Sequence, residues 1–177
     1  MKSQDILLLL KLISLHRHDE VLSEWFSARG LAATTGISKT EVNASLNRSI
    51  AVGLAKYDRH TQLPKVNISA LYGFIASGLR YVFPAKPTAL ARGLLTGFAA
   101  PGLEGLVASV QGEYYVWPDA EGQSRGQAIS PLYKTAVFAA KQDEWLYQVM
   151  ALIDAIRLGS AREAAVAKAE LKRRLAI

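Results

Sequence analysis

Residues 36–55 read GISKTEVNASLNRSIAVGLA. Asn43, Asn47 and Arg48 carry hydrogen-bonding chemistry here, with Lys39 and Thr40 one turn earlier. An asparagine amide can pair bidentately with an adenine edge, and a guanidinium can do the same to guanine or hold a phosphate. A small residue such as Ala44 lets a helix lie close to a groove floor, and Ala or Thr methyls pack on a thymine methyl. Ser38 and Lys39 precede the run, where the positive end of a helix suits a phosphate. Lys56, Arg59, His60 and Lys65 follow. From Lys39 to Lys65 the charge is +5 against −2, hence +3.

These residues must be held by particular elements. At about 100° per residue, with Val42 as the core direction, Leu46 and Ser49 turn inward and Ile50 lies somewhat wider. Thr40, Ala44, Asn47, Arg48 and Ala51 then fall outside. Ser38 and Glu41 spell a capping box, S-x-x-E, which occupies the one acidic side chain of the helix. The helix is expected from Lys39 to about Val52, stopped by Gly53. Ser27 caps a shorter helix over 28–34, and Gly36 supplies the left-handed turn between the two. Residues 3–17 are helical and apolar on most sides, so a neighbour or a partner subunit must bury them. LAKYDRHTQLPK predicts a hairpin around Asp58–Gln62. Asn67 caps a helix over 68–77.

The second half is less patterned. RYVFPAKP reads as extended. Glycines crowd residues 92–126, where loops, a short helix near 103–110 and a strand near 114–117 are expected. In SRGQAISPLY, Arg125 can take a carboxylate or phosphate bidentately. It can equally hold a glycine-rich loop through an internal salt bridge. Tyr81, Phe83, Phe98, Tyr114, Tyr115, Trp117 and Tyr133 are expected in the core, or around an apolar pocket. Asp143–Leu158 and a helix opened by the Ser160/Glu163 capping box end the chain. The first and last helices are expected to form a homodimer interface.

Enzymatic chemistry finds little support. The chain has no cysteine, which excludes disulfides, thiolate nucleophiles and cysteine-ligated zinc. No G-x-G-x-x-G, G-x-x-x-x-G-K-[ST] or G-x-S-x-G occurs. His16 and His18, with Asp19 and Glu20, fit a solvated turn better than a metal site, because no second set of ligands is spaced to join them. Glu113, Asp119 and Glu121 read as loop charges, with no histidine near them to form an acid–base pair. No catalytic residue, cofactor or metal is expected. The 177 residues are 50% hydrophobic and 20% charged, with a net charge of +6 and an isoelectric point near 9.6. That balance suits a soluble fold with anionic partners. Ile6–Leu15 falls short of the roughly 20 residues a membrane span needs, and HRHDE offers no signal-peptide cleavage site. A cytoplasmic protein is expected.

LAATTGISKTEVNASLNRSIAVGLA resembles the "LA…G.S…V…L..L...GL" pattern of winged helix-turn-helix domains of bacterial transcription regulators, MarR-like in the broad sense. Ser49 stands where that pattern commonly has a leucine. The resemblance covers residues 1–80. It implies a three-helix core, a recognition helix in the major groove and a wing near the minor groove or backbone. LRYVFPAKP, VWPDAEGQSRGQAISPLY and LYQVMALIDAIRLGSARE resemble the C-terminal part of a group of uncharacterised bacterial winged-helix proteins, which carries no defined activity over. The expected architecture is mainly α with small β: a winged helix-turn-helix over 1–80 and an α+β region over 81–177. The expected function is a dimeric, sequence-specific repressor on double-stranded DNA. Its contacts would be Ser38, Lys39, Thr40, Asn43, Ala44, Asn47, Arg48, Lys56, Arg59, His60 and Lys65, with Arg125 as an anion or ligand site. The rival expectations are an antitoxin-like module that masks a protein partner and a small-molecule sensor.

Overall fold

The computed structural model describes residues 1–18, 20–107 and 114–177. About half of the chain is helical, with a small β content. The helices are α1 (Ser3–Leu15), α2 (Ala28–Thr35), α3 (Lys39–Ala51), α4 (Ile68–Ser77), α5 (Leu79–Val82), α6 (Ala136–Ala140), α7 (Glu144–Leu158) and α8 (Ala161–Arg174). The strands are β1 (Ala55–Tyr57), β2 (Pro64–Val66), β3 (Leu90–Thr96), β4 (Tyr115–Pro118) and β5 (Ser124–Ala128). Among the described residues, no helix is long and apolar enough to cross a membrane.

Helix α1 explains much of the packing. Ile6 through Leu10 and Leu12 are fully buried, since α2, α3, β2 and α7 all pack against it. Its two buried charges each find a partner on a different side. Asp5 accepts hydrogen bonds from α3, and Lys11 reaches Asp143 at 2.8 Å, at the start of α7. The expectation that α1 serves a dimer interface is therefore corrected, because neighbours within the same chain cover it. The buried stripe of α8, through Ala167 and Leu171, is likewise spent on the single hydrophobic core that α1 and α7 share.

Caps set the helix ends as local chemistry requires. The side chains of Ser27, Ser38, Asn67 and Ser160 accept from the amides of Gly30, Glu41, Ala70 and Glu163. Gly36 takes φ +70° between α2 and α3, a conformation that costs glycine no Cβ clash.

Strands β3, β4 and β5 close on themselves. β3 pairs antiparallel with both others, and β4 pairs parallel with β5. Closing three strands so tightly needs backbone to touch backbone. A Cβ on Gly93 would lie 1.9 Å from the Trp117 carbonyl oxygen, and one on Gly126 would lie 2.3 Å from that of Tyr114. These two glycines, expected in loops, are thus sheet residues. Where the sheet meets α7, Trp117 Nε1 and Thr96 Oγ1 donate to Asp154 of that helix at 2.6 and 2.8 Å, and Arg157 pairs with the same carboxylate at 2.7 Å.

Several local expectations are corrected. Residues 103–107 form turns rather than a helix, and 108–110 lie outside the described residues. Residues 80–82, at the start of RYVFPAKP, are helical, not extended. Tyr81 is 78% exposed and Tyr114 is also exposed, so neither is core.

Candidate nucleic-acid interface

The exposed arc of α3 consists of Lys39, Thr40, Asn43, Asn47 and Ala51. Val42, Ser45, Leu46 and Ser49 are buried. Glu41, Ala44, Arg48 and Ile50 lie between. Asn43 and Asn47 are four residues apart, about 40° on the helix wheel, and sit at the centre of the arc. Ser38 and Lys39 are exposed at the start of the helix.

Arg48 is corrected. It does not point outward with Asn47 but turns along the flank of α3 toward α1. Its Nη2 donates to Asp5 Oδ1 at 2.7 Å and its Nε to Asp5 Oδ2 at 3.1 Å. The same Nη2 also reaches Glu41 Oε1 at 2.5 Å. Asp5 is completed by Ser45 Oγ at 2.6 Å and its own helix-start amide, Lys2 N, at 2.8 Å. Burial pushes the Asp5 carboxyl up, but the hydrogen bonds from Arg48, Lys2 and Ser45 outweigh it and hold it below the usual carboxylate range. The bonds that Arg48 donates to Asp5, and then to Glu41, raise its own pKa further.

Glu41 is corrected too. Its amide donates to Ser38 Oγ at 3.3 Å, but its carboxylate does not turn back to the cap. It takes Arg48 and also Gln4 Nε2 at 2.8 Å. These two donors, Arg48 first, lower its pKa. The outcome for the surface is similar by another route: the one acidic side chain of α3 is tied to Arg48 and Gln4.

The hairpin follows directly. Lys56 and Lys65 are cross-strand partners and both are exposed. Like charges placed opposite each other destabilise a strand pair, so this pair lowers its energy when an anion lies between the two ammonium groups. Arg59 and His60 are exposed at the tip. The tip is held by Asp58, whose Oδ1 accepts from the amides of His60 at 2.9 Å and Thr61 at 3.0 Å. The Thr61 bond, then the His60 bond, lowers the Asp58 pKa. The base of the hairpin is tied to α1 by His16, whose Nε2 donates to the Pro64 carbonyl at 2.9 Å.

Arg125 lies elsewhere, exposed on β5 and directly opposite Arg92 on β3. Among the described residues it forms no ion pair, so the internal salt bridge is not found. Asp119 and Glu121 pair with Lys141 at 2.5 and 3.0 Å. Glu113 and Asp19 lie outside the described residues.

Local pattern does not reveal Asp5, Gln4 or Ser45 as residues that aim α3. The hint is an aspartate in a helix that is apolar on most sides, a charge that demands a partner when buried. No protein-family model matches the chain, and no curated protein or solved structure matches it either.

Proposed function

We propose that this chain is a sequence-specific regulator of transcription that binds double-stranded DNA. In this reading residues 1–80 form a winged helix-turn-helix, with α3 as recognition helix and β1–β2 as wing. The observation that carries it is the exposed arc of α3. Asn43 and Asn47 stand there beside Thr40 and Ala51, with the only acidic side chain of the helix tied down by Arg48. The opposed Lys56 and Lys65 next to it supply phosphate contacts. The protein acts as a homodimeric repressor, two copies reading two half-sites about one helical turn apart. α1 is not available for that pairing.

Fluorescence anisotropy of a labelled random-sequence duplex, titrated over a salt series, tests the reading. Lys39, Lys56, Arg59 and Lys65 are the phosphate-binding set. Four phosphate contacts give log K against log salt a slope of about −3 to −4 per protomer. No binding at the lowest salt overturns the reading.

A further inference from the structure

We infer that the centre of the half-site is made of A·T pairs, with adenines opposite Asn43 and Asn47. The inference rests on the DNA-binding reading above and adds which bases are read.

Guanine is the base that arginine reads, through two parallel N–H groups. Helix α3 has one arginine, and the fold has already spent it. Arg48 Nε and Nη2 bind the two oxygens of Asp5, and Nη2 is shared with Glu41. Swinging Arg48 into a groove would strand the Asp5 carboxylate, whose side chain is 1% exposed. Such a step is opposed by the full desolvation cost of an unpaired buried charge.

What remains at the centre of the arc is amide and methyl. Asn43 and Asn47 are exposed, and among the described residues neither side chain makes a hydrogen bond within the protein. An amide offers one acceptor and one donor group side by side, which matches the adenine N6 donor and N7 acceptor. Four residues of helix advance about 6 Å, within two steps of bases spaced 3.4 Å apart on a strand. The two amides therefore reach base pairs one or two steps apart. Thr40 and Ala51 flank them on the same side and present methyls suited to the thymine methyl. Lys39 sits at the first helical position beside the Ser38 cap, about 40° from Asn43 on the other side. That position suits a phosphate at the helix start.

The test is selection of bound duplexes from a random pool by the wild-type chain and by Asn43→Ala, Asn47→Ala and Arg48→Lys. The two asparagines are exposed, so their variants keep the fold, which a thermal melt verifies. The expected result is that each asparagine variant loses preference at one or two positions that are A·T in the wild-type selection. Discrimination there falls roughly five- to 150-fold, the range of one bidentate pair, while binding to random duplex persists. Arg48→Lys gives up the two-pronged grip on Asp5 and weakens binding to all sequences alike, with no guanine preference lost. The inference is overturned if the positions lost in the asparagine variants are G·C, or if Arg48→Lys abolishes a guanine preference. It is also overturned if neither asparagine variant changes any position while duplex binding persists. Absence of duplex binding by the wild type overturns the DNA reading itself, and the base assignment with it.

Discussion

Arg48 of α3 and Asp5 of α1 meet through two hydrogen bonds, 2.7 Å from Nη2 and 3.1 Å from Nε. The aspartate is buried and the arginine is 29% exposed. A two-pronged contact fixes rotation as well as distance, so this pair sets which arc of α3 faces outward. Arg48 thereby fixes the flank of α3 against α1 and, with it, the placing of Asn43 and Asn47 on the exposed arc.

Asp5→Ala removes the anchor and leaves Arg48 with Glu41 and partial solvent. Breaking a buried pair costs about 3–5 kcal/mol, and the exposure of Arg48 places this variant near the low end. Arg48→Met leaves the carboxylate unpaired in the interior and should cost at least as much. Urea unfolding checks both. A change within the scatter of an ordinary surface substitution contradicts the anchor.

The pH dependence follows from the same group. Asp5 and Asp143 both titrate below the usual range in the folded chain. In each case burial pushes up but hydrogen bonding prevails, from Arg48 for Asp5 and from Lys11 for Asp143. A depressed folded pKa means the unfolded chain takes the proton first. The stabilisation is complete above about pH 4 and is lost as pH falls further. Asp154, pushed up by burial, acts in the opposite sense and partly offsets the loss. Thermal midpoints between pH 6 and pH 2 should fall steeply below pH 4. The decline should be shallower in Asp5→Asn.

Two glycines should respond in opposite directions. Gly73 lies inside α4, and a Cβ added there would meet nothing within 4 Å. Gly73→Ala should stabilise by about 0.5–1 kcal/mol, the helix-interior difference. Gly93→Ala would drive a methyl into the Trp117 carbonyl and should cost about 3 kcal/mol or more, since overpacked backbone cannot yield cheaply. Chemical denaturation of the two variants gives the comparison.

Lys56→Ala and Lys65→Ala should each reduce the salt slope of duplex binding by about one unit and weaken all sequences alike. Both side chains are exposed, so stability should stay within about 0.5 kcal/mol of wild type. A change in base preference instead of a change in slope would move these lysines out of the phosphate set.

Much of the N-terminal half is legible in the sequence because its signals are local. A cap residue and the amide it binds are three positions apart, so Ser27, Ser38 and Asn67 announce their helices. Gly36 announces its turn in the same way. The apolar surround of α1 says that something must bury it, but not that α2, α3 and α7 do. The Asp5–Arg48 pair spans 43 positions, and no periodicity connects them. The true partners of Glu41 are hidden for the same reason, since Gln4 and Arg48 enter only through tertiary packing. Strands β3 and β5 are masked by their own glycines. Gly93 and Gly126 lower strand propensity, yet the closed sheet requires them where carbonyls press against the backbone.

The most direct measurement is photo-crosslinking. A photoreactive side chain is placed singly at Thr40, on the exposed arc of α3, and at Ala165, exposed on α8. Each variant is irradiated with a labelled duplex above its dissociation constant. The account predicts a crosslink to DNA from position 40 and none from position 165. DNA captured at position 165 but not at position 40 would contradict it.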